Sequence, residues 1–233
     1  MAISIKELVI PKTDLFSPQV LILIAIALFL RVFLSLYSIH PDFFFVFMFP
    51  NLVSSHHIVD VYSLFENELA HRPGFYYTPV VLYFFSTVTF VANLLTNDIT
   101  KLMDASYLLY KNGSTNPLAY LSIDEINYTK VFGLLKLPYL IFDAGTILIL
   151  LKMIKAEKDK KKALVFWLLN PVLLYGTYVY GQFDIIPTFL ITLGVYLALK
   201  NRIYQALIVI GVAATFKNFA LVLILPLALI LGK

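Results

Sequence analysis

Residues 20–39, VLILIAIALFLRVFLSLYSI, hold twenty positions with a single charge, Arg31. As a helix rising 1.5 Å per residue, such a run is about 30 Å long, the thickness of a bilayer's hydrocarbon core. Working outward from it, residues 76–95 read as a second span without a charge. Residues 131–151 form a third, carrying Lys136 and Asp143, and residues 163–180 a fourth, interrupted by Asn170-Pro171. Residues 185–199, 203–216 and 218–231 are shorter apolar segments. Short or proline-bearing segments persist in a membrane where neighbouring protein covers the freed backbone.

The reading is therefore an all-α, polytopic membrane protein of about seven transmembrane helices, with residues 1–233 as one transmembrane domain. The totals agree: 60% of the 233 residues are hydrophobic, 14% are charged, and the mean hydropathy is +0.84. Soluble domains carry about 25% charged residues. The net charge of +4 is spread over loops and ends, with no basic face interleaved with aromatics, which argues against nucleic acid as a partner. The absence of cysteine excludes disulfides, thiolate metal sites and cysteine nucleophiles. The first apolar run is too long for a signal-peptide core and reads as a retained anchor.

Three polar stretches separate the spans. Residues 41–75 read as a first non-cytoplasmic loop, opening with a half-buried amphipathic helix that lies along the membrane. Residues 96–130, which include the turn signal KNGSTNP, read as an ordinary solvent loop. Residues 152–162, KMIKAEKDKKK, set six lysines against two acids, and the positive-inside rule puts them in the cytoplasm. Lys200 and Arg202 fall on the same side, leaving the 181–184 turn and Lys217 outside. The first half conflicts with this. Counting crossings from a cytoplasmic N-terminus delivers the lysines to the outside.

Several residues stand where chemistry is possible. Asp42, in SIHPDFFF (38–45), reads either as a solvated cap or as a general base or cation-binding group at the mouth of an apolar cavity. Arg72, Tyr76 and Tyr77, in RPGFYYTPV (72–80), make either an interfacial aromatic belt or a platform for a flat polar ligand such as a sugar. In WLLNPVLLYGTYVYGQFDIIP (167–187), Asp184 suits a helix cap, but its grouping with Gln182 and Asn170 asks for more. Polar groups in such segments usually face an interior cavity. Lys217 and Arg31 are either snorkelling cations or phosphate ligands. Lys136 and Asp143, seven apart on one helix face, read as residues that position helices, with Asp143 also able to look into a cavity. Histidines 40, 56, 57 and 71 form no metal-binding spacing, and neither HExxH nor DxD occurs. No cofactor is expected, although a divalent metal stays open.

Taken together, these motifs resemble the GT-C superfamily of multi-spanning glycosyltransferases. The resemblance rests on the acid after the first span (Asp42), YYTPVVLYF leading into the second, Asp143 in the third, and the lysine-rich loop. It rests also on LLNPVLLYGTYVYGQFDIIP and GVAATFKNFALVLILP. Thr78 stands where that superfamily often has proline. Members usually have ten or more spans, so the chain is expected to be an N-terminal module or a truncated product. The resemblance implies a hexosyltransferase, for mannose or glucose, drawing on a polyprenyl- or dolichyl-phosphate sugar. Similar enzymes include lipid-linked-oligosaccharide glucosyltransferases of the endoplasmic reticulum and prokaryotic mannosyltransferases. It implies inversion, with Asp42 as base and a glycolipid, glycan or protein hydroxyl as acceptor. Arg31 and Lys217 would meet the lipid phosphate, and Arg72, Tyr76, Tyr77, Gln182 and Asp184 would bind substrate. The membrane would be the plasma membrane in a prokaryote and that of the endoplasmic reticulum in a eukaryote. The alternatives are a multi-pass transporter, a lipid flippase or a non-catalytic membrane subunit.

Overall fold

A computed structural model describes residues 17–67, 69, 77–114, 126–224 and 226. Among them every regular element is helical. In order they are α1 (Pro18–Tyr37), α2 (Pro41–His56), α3 (Val61–Asn67), α4 (Pro79–Asn93), α5 (Asp98–Lys111), α6 (Tyr128–Met153) and α7 (Glu157–Leu168). After the single turn α8 (Pro171–Leu173), a π-helical stretch (Leu174–Val179) follows, then α9 (Ile185–Leu199), α10 (Ile203–Phe216) and a 3-10 segment (Asn218–Leu223). Among the described residues, three helices are long and apolar enough to cross a membrane: Pro18–Tyr37, Tyr128–Met153 and Glu157–Val179, the last running through α8 into the π stretch. Pro79–Asn93, Ile185–Leu199 and Ile203–Phe216 are shorter apolar helices. The fold is that of an all-α polytopic membrane protein. Of the expected seventh segment, 218–231, the described part is the 3-10 turn.

Antiparallel packing of α1 and α6 organises the bundle. Near one end Leu36 lies so close to Gly133 that a Cβ there would sit 2.8 Å from its side chain. At mid-height Arg31 meets Asp143. Toward the other end Val20 and Ala27 pack with Ile147, Leu164 and Leu168. The lysine-rich 152–162 stretch therefore lies at the same end as Pro18. The α9–α10 hairpin, closed where Gly194 abuts Ile210, turns at Lys200 and Arg202. It adds those cations to the same end, because Phe189 of α9 packs beside Phe142 of α6, 5.3 Å between ring centroids.

This arrangement resolves the conflict over crossings. The C-terminal end of α1 and the N-terminal third of α6 share an end, since the Lys136 Nζ donates to the Ser38 carbonyl at 2.7 Å. The chain between them crosses an even number of times or not at all. The 15-residue α4, expected as a lone span, is not a crossing by itself. It leads from the Thr215 carbonyl, bonded by the Thr78 hydroxyl, to Leu95, whose carbonyl accepts from Lys130 Nζ at 2.9 Å.

Two further expectations are corrected. The helix after Asp42 is not half-buried and amphipathic. Phe43, Phe44, Val46, Phe47, Met48, Phe49 and Leu52 are all buried, and a helix apolar on every face belongs inside. It lies between α4 and α5, with Phe47 edge-on to Phe85 at 5.1 Å. The 96–130 stretch is not merely solvent loop either. Its α5 buries Ile99, Leu102, Met103, Ser106 and Tyr110, a 3–4 spacing that presents one face. A polar clasp ties the C-terminal end of α2 to the N-terminal half of α5. Asp104 accepts from Asn51 Nδ2 at 2.8 Å and lies 2.8 Å from His56 Nε2.

The outward face of α1 is strongly apolar: Ile22, Phe29, Phe33 and Tyr37 are largely exposed. On a soluble protein such a surface drives association. In a bilayer it is the ordinary lipid-facing side.

Candidate active site

Two tight turns meet at the end of the bundle away from the lysine-rich loop. The first joins α1 to α2. The His40 ring caps α2, its Nδ1 accepting from the Asp42 backbone N–H at 3.3 Å, and Pro41 opens the helix, where its missing N–H costs nothing. The second turn, Gly181 to Asp184, joins the π stretch to α9. Gly181 has φ of +79°, a backbone state that side chains resist. Its neighbour is Phe43, whose Cβ lies 3.1 Å and whose ring Cδ2 lies 3.2 Å from where a Cβ would stand. Gly181→Ala is expected to cost about 1–2 kcal/mol from backbone strain, read as a lowered thermal midpoint in detergent.

Between the turns lies Asp42. Its Oδ2 accepts from Gln182 Nε2 at 2.8 Å, and its Oδ1 stands 3.5 Å from His40 Nδ1. The side chain is 36% exposed, so the carboxylate is held yet reachable. The His40 and Tyr180 rings stack at 3.7 Å. The Tyr180 phenol is pushed above its ordinary value, first by the charge of Asp42 and then by a hydrogen bond to it. Asp42→Asn removes that charge, so Tyr180 should ionise at lower pH. Difference spectroscopy of the phenolate, with Tyr180→Phe as reference, would read the shift.

A second charged group stands on the same turn. Asp184 is at the N-cap position of α9 but makes no side-chain capping bond; its Oδ1 instead lies 3.1 Å from Lys217 Nζ. Lys217 also sits over the Phe183 ring at 5.1 Å and the Tyr77 ring at 5.9 Å. Burial, then the charges of Asp42 and Asp184, push the Tyr77 phenol up, which puts Tyr77 within electrostatic reach of both acids. Five groups named from the sequence therefore converge: Asp42, Gln182, Asp184, Lys217 and Tyr77. Arg72 and Tyr76 lie outside the described residues. Among the described residues no group of three or more His, Cys, Asp or Glu side chains is placed to hold a metal ion.

Arg31 is not brought to this site. It is buried about two helical turns back along α1, its Nε 2.6 Å from Asp143 Oδ2 and its Nη1 donating to the Leu168 carbonyl at 2.9 Å. Asp143 also accepts from Trp167 Nε1 at 2.6 Å and the Tyr178 hydroxyl at 2.7 Å. In an apolar bundle a guanidinium finds its lowest free energy against such an acid, and the expected phosphate ligand is a helix lock instead. Asn170 is likewise a cap, accepting from the Val172 and Leu173 N–H groups at 3.0 and 3.3 Å. Beside the Arg31–Asp143 pair opens an apolar groove of about 310 Å³, walled by Ile24, Leu28, Leu140, Ile147, Leu151 and Leu164 among others.

Residues 116–233 match the sequence profile described as glycosyltransferase family 87. The chain belongs to glycosyltransferase family 87. No curated protein and no solved structure matches it. Family membership makes the protein a membrane glycosyltransferase with a sugar donor and an acceptor. The matched stretch includes the 181–184 turn and Lys217 but not Asp42, which α1 and α2 supply to the same end of this family 87 transferase. Sequence reasoning passed over His40 and Tyr180 as site residues. The signal for His40 was available in its place immediately before Pro41-Asp42, a capping position.

Proposed function

We propose that this family 87 protein transfers a hexose, mannose or glucose, from a polyprenyl- or dolichyl-phosphate donor to an acceptor hydroxyl with inversion, using Asp42 as general base. The observation that carries the reading is the Asp42 carboxylate itself. It is ionisable, reachable and oriented through one oxygen by Gln182, at the end of an apolar bundle where a lipid-borne sugar would arrive. The acceptor hydroxyl gives its proton to Asp42 while its oxygen forms the bond to the anomeric carbon. The bond from that carbon to the phosphate oxygen breaks on the opposite face, and the electron pair leaves with the lipid phosphate.

Lys217 supplies positive charge for the departing phosphate, and Asp184, its partner at 3.1 Å, holds it in place. Tyr77, Tyr180 and His40 offer ring faces and hydroxyls for the sugar, with Arg72 and Tyr76 proposed to extend that surface. The groove beside α1 and α6 suits an isoprenoid chain, its lining being aliphatic apart from the mutually paired Arg31 and Asp143. The acceptor is a glycolipid, glycan or protein hydroxyl. The protein is multi-pass, with α1, α6, the 157–179 helix, α9 and α10 crossing and the lysine-rich end cytoplasmic, in the plasma membrane of a prokaryote or the endoplasmic reticulum of a eukaryote.

The test is to give the purified protein a polyprenyl-phosphate hexose in liposomes and follow free polyprenyl phosphate on adding a glycolipid acceptor. Transfer releases lipid phosphate in step with glycosylated acceptor. Movement of intact donor between leaflets, with no release, would point to a flippase and contradict the proposal.

A further inference from the structure

One stripe of α6 runs from the site turns down to the Arg31 pair: Phe132, Lys136, Tyr139 and Asp143, spaced 4, 3 and 4 apart, all buried. Lys136 is the unexpected member. Its side chain is fully buried, and among the described residues no carboxylate pairs with it. A buried ammonium without a counter-ion is costly unless its donors are well used. Here they are used on the main chain: Nζ donates to the Ser38 carbonyl and to the Tyr178 carbonyl, each at 2.7 Å. Phe43 and Phe132 turn their ring faces toward it at 5.4 and 5.9 Å.

The two carbonyls have matching places in the chain. Ser38 is the C-cap of α1, and Tyr178 lies at the end of the π stretch. Each is an end-of-helix carbonyl that needs a donor, and the C-terminal dipoles of both helices favour a cation there. Each also lies four residues before a site residue, Ser38 before Asp42 and Tyr178 before Gln182. One turn along α6, the Tyr139 hydroxyl donates to the Gly181 carbonyl at 3.1 Å, fixing the second turn once more.

Resting on the proposed role of Asp42, we infer that Lys136 is a positioning residue for the transfer: by bridging the carbonyls of Ser38 and Tyr178 it sets the Asp42 turn against the Gln182 turn. It touches neither substrate nor the carboxylate and acts through the spacing of the two loops. An apolar side chain of the same length fills the space but releases both carbonyls, so the turns separate while the core stays packed.

The experiment compares Lys136→Met and Lys136→Gln with wild type, alone and combined with Asp42→Asn. Misplacing reacting groups by about 1 Å costs up to about a hundredfold in rate. Lys136→Met should therefore lower kcat on that scale with the KM for the lipid donor little changed. Lys136→Gln, which keeps two N–H donors, should fall between it and wild type. Added to Asp42→Asn, either change should lower kcat no further, since both act through one group. The Tyr180 phenol, raised by Asp42, should ionise at lower pH in Lys136→Met, as in Asp42→Asn.

Multiplying losses in the double variant, or a Tyr180 titration that does not move, would overturn the inference and leave Lys136 a packing residue. Should Lys136→Met not fold, Lys136→Gln carries the same measurements, with a smaller fall in kcat and a smaller titration shift expected. Wild-type turnover in Asp42→Asn alone would remove the base, and the Tyr180 titration would then decide by itself whether Lys136 holds the turns together.

Discussion

Asp42→Asn is expected to lower kcat by roughly 100- to 10,000-fold, the usual contribution of a positioned general base. The protein should accumulate and melt as wild type does, because the substitution spares the structural contacts. Asn keeps a side-chain oxygen for Gln182 Nε2, now 2.8 Å from Asp42 Oδ2, and the His40 cap uses the backbone N–H rather than the carboxylate. Donor binding should change little, since Lys217, Asp184 and the aromatic rings are untouched. The expected signature is a loss in kcat at nearly constant KM, measured as sugar transferred from a polyprenyl-phosphate hexose. Gln182→Leu should show a milder loss, because the carboxylate stays but one of its oxygens is no longer oriented.

The largest effect on stability is expected at the other polar centre. Asp143→Ala removes the carboxylate that accepts from Arg31, Trp167 and Tyr178, four helical segments held by one side chain. Breaking one partner of a buried ion pair costs about 3–5 kcal/mol, chiefly because the other charge stays buried and unpaired. Arg31 is 5% exposed and cannot reach water without moving α1. Arg31→Met combined with Asp143→Leu removes both charges and should recover much of the loss, since paired removal is often neutral. Denaturation in mixed micelles reads both values. If the single and double variants were equally destabilised, the cost would lie in packing rather than in the stranded charge.

These two centres also show what a linear reading sees. Asp42 and Gln182 were each visible as polar residues at the ends of apolar runs, and so were Asp184 and Lys217. Their convergence follows from helix lengths, because chain turns at one end of a bundle meet there. The Arg31–Asp143 pair was not visible, being separated by 112 residues. Arg31 and Lys217 looked alike in sequence, as single cations in apolar segments, but only Arg31 lies mid-helix, where an internal acid is the nearest polar group. The partners of Lys136 are main-chain carbonyls, which every residue carries and no sequence pattern marks. α5 stayed hidden because Asp98, Lys101, Asp104 and Lys111 lower its hydropathy while its other face fills the core. α2 read as half-buried because its second apolar face is covered by α4 and α5, elements whose packing is set only in three dimensions. The crossing conflict had the same origin: α4 has the composition of a span, but the contacts at its two ends, Thr78 with the Thr215 carbonyl and the Leu95 carbonyl with Lys130, keep both near the site end of the bundle.

The measurement that bears most directly on Asp42 as base is a single turnover with donor already bound. Wild type and Asp42→Asn are loaded with radiolabelled polyprenyl-phosphate hexose to equal occupancy, acceptor is added, and release of lipid phosphate is timed. The proposed chemistry gives prompt release from wild type and, from the equally loaded variant, release slower by about two orders of magnitude or more. Release at the same rate from both would mean that the acceptor's proton leaves by another route and that Asp42 only shapes the turn.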